Sequence, residues 1–326
     1  MTVAGTFLYK DAVGIREDLE DVISRIDRTD TPFYSAIGKS KASAKYHEWQ
    51  IQKLAATNAV QALAGGAAAD AALEGADAPA ASTTPTTRVG NRTQIMTRKA
   101  AVAGGLQAAN TAGRANEMEY QVLLKGLELK RQMEVTITNN QGSQTDNGTV
   151  PGLMGSFESW LTTNVSRGGG GGASGGFSAG QVAPPVDGTA RAFTETLLKV
   201  VIAAVYNAGG KPTILSLGTN QKQNFSAFAG IAVNRFQLNK AEMGAIIGAA
   251  DVYVSDFGQL AVVPNIFQRN KSALLLSPKF VKIANYRPMK NWPLAKTGDA
   301  DNRQLLVEFT LEVLNEAAHG IVADLT

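Results

Sequence analysis

Between two short alternating segments, 45–53 and 92–99, the chain carries a stretch, 54–87, built almost entirely from Ala, Gly, Thr and Pro. A loop above about 15 residues is uncommon inside a compact domain unless it is functional or disordered. This one has few large side chains from which to make a core of its own, so it is either a free surface loop or a segment that lies on something else. The flanking strands share the problem. In 45–53, Glu48, Gln50 and Gln52 alternate with His47, Trp49 and Ile51; in 92–99, Arg92, Gln94, Met96 and Arg98 alternate with Thr93, Ile95 and Thr97. Neither strand has a fully apolar face. A two-stranded ribbon without a covering layer is marginal in water, so the pattern predicts a hairpin of 45–53 with 92–99 that needs a neighbouring surface.

The remainder has the material for a core. At 326 residues and 44% hydrophobic content, the chain can divide into more than one compact unit. Residues 115–137 place Met118, Val122, Leu129, Met133 and Ile137 on one helical stripe, with Tyr120, Leu123, Leu124 and Leu127 beside it. This predicts a helix of about 38 Å, long enough to be the backbone of an elongated domain. Phe193, Leu197, Val201 and Val205 mark a second amphipathic helix, stopped by Gly209-Gly210 and Pro212. A strand at 213–217, a helix at 220–229 and a hairpin within 251–263 turning at 256–258 follow. Leu305, Val307, Phe309, Leu311 and Val313 alternate with Leu306, Glu308, Thr310 and Glu312, which predicts a last strand with core on one side and mostly solvent on the other. Residues 167–180, nearly all Gly, Ser and Ala, lack apolar surface and are expected to be flexible. At the start, 11–30 carry Val13, Ile15, Leu19, Val22, Ile23 and Ile26 on the stripe of a short amphipathic helix stopped by Asp30-Thr-Pro32. Such a helix packs more often on its own domain than on a partner. The fold class on this reading is α+β.

Chemistry finds little to work with. The chain has no Cys, which excludes disulfides and thiolate metal sites. Its only histidines, His47 and His319, have no partner at i, i+4 spacing, so no zinc helix exists. The run 172–176 fits a nucleophile elbow formally, but no strand precedes it. Asp299 and Asp301 open like a calcium loop, yet Arg303 takes a ligand position and the Gly is missing. Catalytic residues, metal ligands and cofactor-binding residues are therefore all read as none. Lys and Arg number 31 against 28 Asp and Glu, too even a balance for tight non-specific nucleic-acid binding. No signal peptide and no run of about 18 apolar residues is present, so the protein is expected to be neither secreted nor membrane-spanning.

Two motifs go further. KYHEWQIQ at 45–52, following Pro32-Phe33, and the terminal run with Glu308, Thr310, Leu311, Val313, Asn315, Glu316, Ala318, His319 and Gly320 resemble the major capsid proteins of tailed bacteriophages. The resemblance is strongest at 30–52, 148–164 and 296–325. It implies the Hong Kong 97-type fold: an N-terminal arm (1–44), an extended hairpin loop (45–99), a peripheral domain with a long spine helix (100–145) and late strands (266–316), an axial domain (146–265) and a C-terminal segment (317–326). In the family, arm and hairpin lie on neighbouring subunits. The implied function is a non-enzymatic subunit that assembles in the host cytoplasm into hexamers and pentamers of an icosahedral virion shell around double-stranded DNA. Its partners would be copies of itself, DNA through weak contacts, and portal, scaffolding and decoration proteins, with no membrane and no cofactor. His47, Glu48, Trp49, Arg88, Arg92 and Arg98 are the expected inter-subunit contacts. An encapsulin-like compartment is the alternative within this class, and a virion-associated carbohydrate-binding domain the alternative outside it.

Overall fold

The computed structural model describes residues 25–54, 74–75, 85–109, 111, 113–228, 252–296 and 298–326. The expected helix up to residue 24, nearly all of 55–84, and the last residue of the helix expected at 220–229 lie outside them. Residues 25–31 are not helical; Thr31 precedes Pro32, which disfavours the helical region.

In chain order the described elements are α1 (Pro32–Ala36), β1 (Gly38–Lys41), β2 (Tyr46–Ile51), β3 (Thr87–Arg92), β4 (Gln94–Ala103), α2 (Gly104–Ala108), α3 (Glu117–Thr138), α4 (Phe157–Trp160), β5 (Val165–Ser166), β6 (Gly176–Ser178), β7 (Gln181–Ala183), α5 (Glu195–Asn207), β8 (Ile214–Leu217), α6 (Thr219–Ser226), β9 (Val252–Ser255), β10 (Gly258–Pro264), β11 (Ser272–Leu276), β12 (Val281–Pro293), β13 (Ala300–Val313) and β14 (Gly320–Ala323). Two sheets organise them: β1-β12-β13-β4, and β5-β14-β11-β8-β10-β9.

The first sheet rests on α3. Leu305, Val307, Phe309, Leu311 and Val313 of β13 share a core with Leu129, Met133 and Ile137 of α3, each fully buried apolar side chain contributing about 1.5–3 kcal/mol. The Asn116 side chain accepts from the Glu119 N–H and caps the helix.

The second sheet is buried on both faces at its centre, while its edge strand β9 leaves Val252 and Val254 exposed. All five residues of β11 are buried; Leu274 and Leu276 face the core shared with α4 and β13, whereas Ala273 and Leu275 face a separate core under α5 and α6. β11 pairs with β8 and β14. Strand pairing thus divides the chain differently from the expected boundaries: within 266–316, β11 joins the sheet of the middle segment, and so does β14 from 317–326. A short apolar run signals burial on two faces, but periodicity does not say in which sheet.

Three expectations are corrected. The return strand of the ribbon is β3, not 92–99: Tyr46 faces Arg92 and Ile51 faces Thr87, while β4 pairs with β13 from Gln94↔Phe309 to Ala103↔Ala300. β4 buries Met96, Ala100 and Val102, which β2 could not cover. The second face of β13 is not solvated: Glu308 and Glu312 are only 1% and 8% exposed, with Thr93 Oγ1–H and Arg287 Nε–H donating to Glu308 and Ser40 Oγ–H to Glu312. The glycine tract is built into the fold: β6 and β7 pair, Gly168 and Gly188 N–H donate to the Asp324 carboxylate, and a Cβ on Gly168 would collide with the Thr189 carbonyl. Glycine there serves close backbone approach.

Candidate assembly surface

The ribbon of β2 and β3 has two faces with opposite fates. His47, Trp49, Val89 and Asn91 turn toward the subunit body. Trp49 is 8% exposed, packs at a tilt against Trp160 with ring centroids 5.3 Å apart, and its Nε1–H donates to the Val313 carbonyl at 3.0 Å. Asn91 Nδ2–H donates to the carbonyls of Gly155 and Leu311, and its Oδ1 accepts the Gly155 N–H. His47 Nε2 lies 3.6 Å from Glu312 Oε2. The base of the ribbon is therefore fastened to its own subunit, and Trp49, expected as an inter-subunit contact, is an internal anchor.

Tyr46, Glu48, Gln50, Arg88 and Arg92 form the opposite face. Arg88 Nε lies 3.2 Å from Glu48 Oε1, and the Arg92 guanidinium sits over the Tyr46 ring at 5.1 Å. Gly90 lies between them; a Cβ there would come within 2.8 Å of the Tyr46 ring. Pairs as exposed as Arg88–Glu48 contribute little to folding, about 0–1 kcal/mol, so this face is charged without being needed for the fold. Arg98 stands apart on β4, 3.7 Å from Glu128 of α3. Of the six expected contacts, the structure brings Glu48, Arg88 and Arg92 together on one outward face, turns His47 and Trp49 inward, and leaves Arg98 beside the helix.

Buried polar groups elsewhere hold segments together. Glu134 of α3 accepts from the Phe33 and Tyr34 N–H at 2.8 Å each and from Asn265 Nδ2–H at 2.6 Å, joining α1 and the end of β10 to α3. Burial pushes its carboxyl upward, against those three donors. Glu158 lies 3.3 Å from Arg269, which also contacts Asp187; burial raises Glu158, opposed by Arg269 and Arg167. His319 is fully buried, accepts the Ser277 N–H on Nδ1 at 3.1 Å, and is pushed down to about 3 by desolvation. Among the described residues no group of three or more His, Cys, Asp or Glu could hold a metal ion. Glu134, Asn91 and the Glu308 and Glu312 face escaped the sequence reading; a polar residue amid a strand pattern reads as a solvent face until a covering element is known.

Solved structures share this architecture. The cyanophage A-1(L) capsid subunit is 13% identical, with TM-score 0.64 over 96% of this chain and 97% of that one. The Microbacterium phage Oxtober96 chain is 12% identical, with TM-score 0.59 over 95% and 96%. The encapsulin SrpI of Synechococcus elongatus is 9% identical, with TM-score 0.56 over 96% of each. The fold is thus that of the Hong Kong 97-type shell subunits, an α+β class. The model of the SU10 major capsid protein family matches residues 2–326, and the chain belongs to that family. The major capsid protein of Escherichia phage Phieco32 is 29% identical over 140 residues, 43% of this chain; the match spans 37% of that relative's length.

Proposed function

We propose that this major capsid subunit tiles hexamers and pentamers of an icosahedral head that assembles in the host cytoplasm and encloses double-stranded DNA. The observation that carries the reading is the family match across residues 2–326. The ribbon supports it, because its base is satisfied within the subunit while its charged face is left for another surface. In a closed shell heterologous contacts close by symmetry and are repeated many times around the axes, so modest contacts sum to a stable particle without any chemistry.

Residues 1–44 then act as the arm, 45–92 as the extended hairpin, 93–145 with β12 and β13 as the peripheral domain, and 146–265 with β11 and β14 as the axial domain. Glu48, Arg88, Arg92 and Arg98 steer neighbours and set register. Contacts to DNA are weak and non-specific, in keeping with a formal charge of only +3; portal, scaffolding and decoration proteins dock on the assembled lattice. Expression of the full chain followed by electron microscopy and light scattering tests this. Uniform shells built of hexamers and pentamers are expected, whereas a monodisperse monomer with glycan affinity contradicts the reading, and shells that enclose a protein cargo in place of DNA favour the compartment alternative.

A further inference from the structure

The chain's only Asn-Gly dipeptide, Asn147-Gly148, stands at the tip of a loop that the backbone pairing of Gln144 with Leu153 closes. Both residues are exposed. Gly148 takes a φ of +82° with open space where a Cβ would stand, so nothing shields its nitrogen from the side chain before it. Two sets of hydrogen bonds point at one reaction. Asn147 Oδ1 accepts the N–H of Thr149 at 3.0 Å and of Val150 at 2.7 Å, whereas no described residue holds Asn147 Nδ2. Gly148 N–H donates to Asp146 Oδ1 at 3.0 Å. The carboxamide is thus polarised at its oxygen and free at its nitrogen, and the adjoining backbone nitrogen has a carboxylate on its proton.

From this arrangement we propose that Asn147 is a self-modifying site, which loses ammonia to form a cyclic imide with Gly148 that water opens to aspartate or isoaspartate. As the Gly148 nitrogen bonds to Asn147 Cγ, its proton passes to Asp146 and the carbonyl electrons move onto Oδ1, where the Thr149 and Val150 N–H groups stabilise the charge. Collapse breaks the Cγ–Nδ2 bond, and Nδ2 leaves as ammonia with the proton that Asp146 took. Water then adds to Cγ, giving aspartate, or to the backbone carbonyl carbon of 147, giving isoaspartate with the chain running through Cγ. One water enters and one ammonia leaves, so no other reactant is needed. Every reacting group sits on one turn, which makes the step intramolecular. The product sets a second carboxylate next to Asp146, itself 3.8 Å from Lys45, the residue before β2. The foot of the ribbon gains negative charge as the subunit ages.

The full-length free subunit, held at neutral pH and sampled over weeks, is digested with trypsin, and the peptide 132–167 is resolved by chromatography and fragment-ion mass spectrometry. The acid forms at 147 are expected to accumulate while Asn139, Asn140 and Asn164 of the same peptide keep their amides. The native chain is expected to convert at least as fast as the chain kept unfolded in guanidinium chloride, because the turn already holds the groups that an unfolded chain must bring together. Asp146→Ala is expected to slow the native reaction by about tenfold and the unfolded one far less. Native conversion slower than unfolded, or equal native rates with and without the Asp146 carboxylate, overturns the proposal. The measurement needs no shell, so either result leaves the capsid reading untouched.

Discussion

Trp49 and Arg88 lie on the same ribbon and should respond to substitution in opposite ways. Trp49→Ala removes a buried ring and leaves the Val313 carbonyl without its donor; the expected loss is about 3–5 kcal/mol, visible as a lower denaturation midpoint of the subunit. Arg88→Glu touches only the exposed pair with Glu48 and should leave stability within about 0.5 kcal/mol, while reducing the yield of particles by sedimentation. A midpoint unchanged in Trp49→Ala would show that the ribbon is not anchored as described. His319 supplies a pH signature. Its folded value of about 3 lies below the ordinary 6.5, so the native state refuses a proton that the unfolded chain accepts. Its contribution is intact above about pH 6.5 and is lost progressively as pH falls toward 3, by several kcal/mol in total. Denaturant titrations between pH 7 and pH 4.5 should show a steeper loss for the wild-type chain than for His319→Gln.

At the scale of elements, the ribbon separates a cis anchor from an outward reach. Because β2 and β3 are pinned through Trp49, Val89 and Asn91, replacing 55–84 by a short Asn-Gly turn should leave the subunit folded, with little change in thermal midpoint by circular dichroism, and should abolish closed shells. A collapsed subunit would show instead that the replaced stretch serves its own body. Long periodic elements were legible from residues: the stripe through Leu129, Met133 and Ile137 marked α3, Leu198, Val201 and Val205 lie where the second helix was expected, and the alternation of 305–313 marked β13. Pairing partners were not. Whether 92–99 joined β2 or β13 depended on what could bury Met96 and Val102, a tertiary matter that alternation does not encode. The polar face of β13 misled for the same reason, since Glu308 and Glu312 look solvated until Thr93, Ser40 and Arg287 are placed over them. The glycine tract misled by composition alone, for its glycines admit close carbonyls and the Asp324 carboxylate. Of the candidate surface, sequence alternation correctly set His47 and Trp49 opposite Glu48, but the inward face turned out to be the aromatic one.

The whole molecule combines two sheets over shared and separate cores with a charged ribbon face that folding does not require. That combination suits a subunit whose last free energy comes from copies of itself. If Glu48, Arg88 and Arg92 steer those contacts, shell formation followed by light scattering should slow as ionic strength rises from about 0.05 to 0.5 M, because the screening length shrinks from roughly 14 to 4 Å; a rate indifferent to salt would remove these charges from the account. The most direct measurement is an electron cryo-microscopy reconstruction of particles formed by the full chain. The expected map shows closed shells in which Trp49 stays against Val313 of its own subunit while the Arg88 and Arg92 face meets an adjoining copy. A map with that face open to solvent in every subunit, or a preparation that stays monomeric, contradicts it.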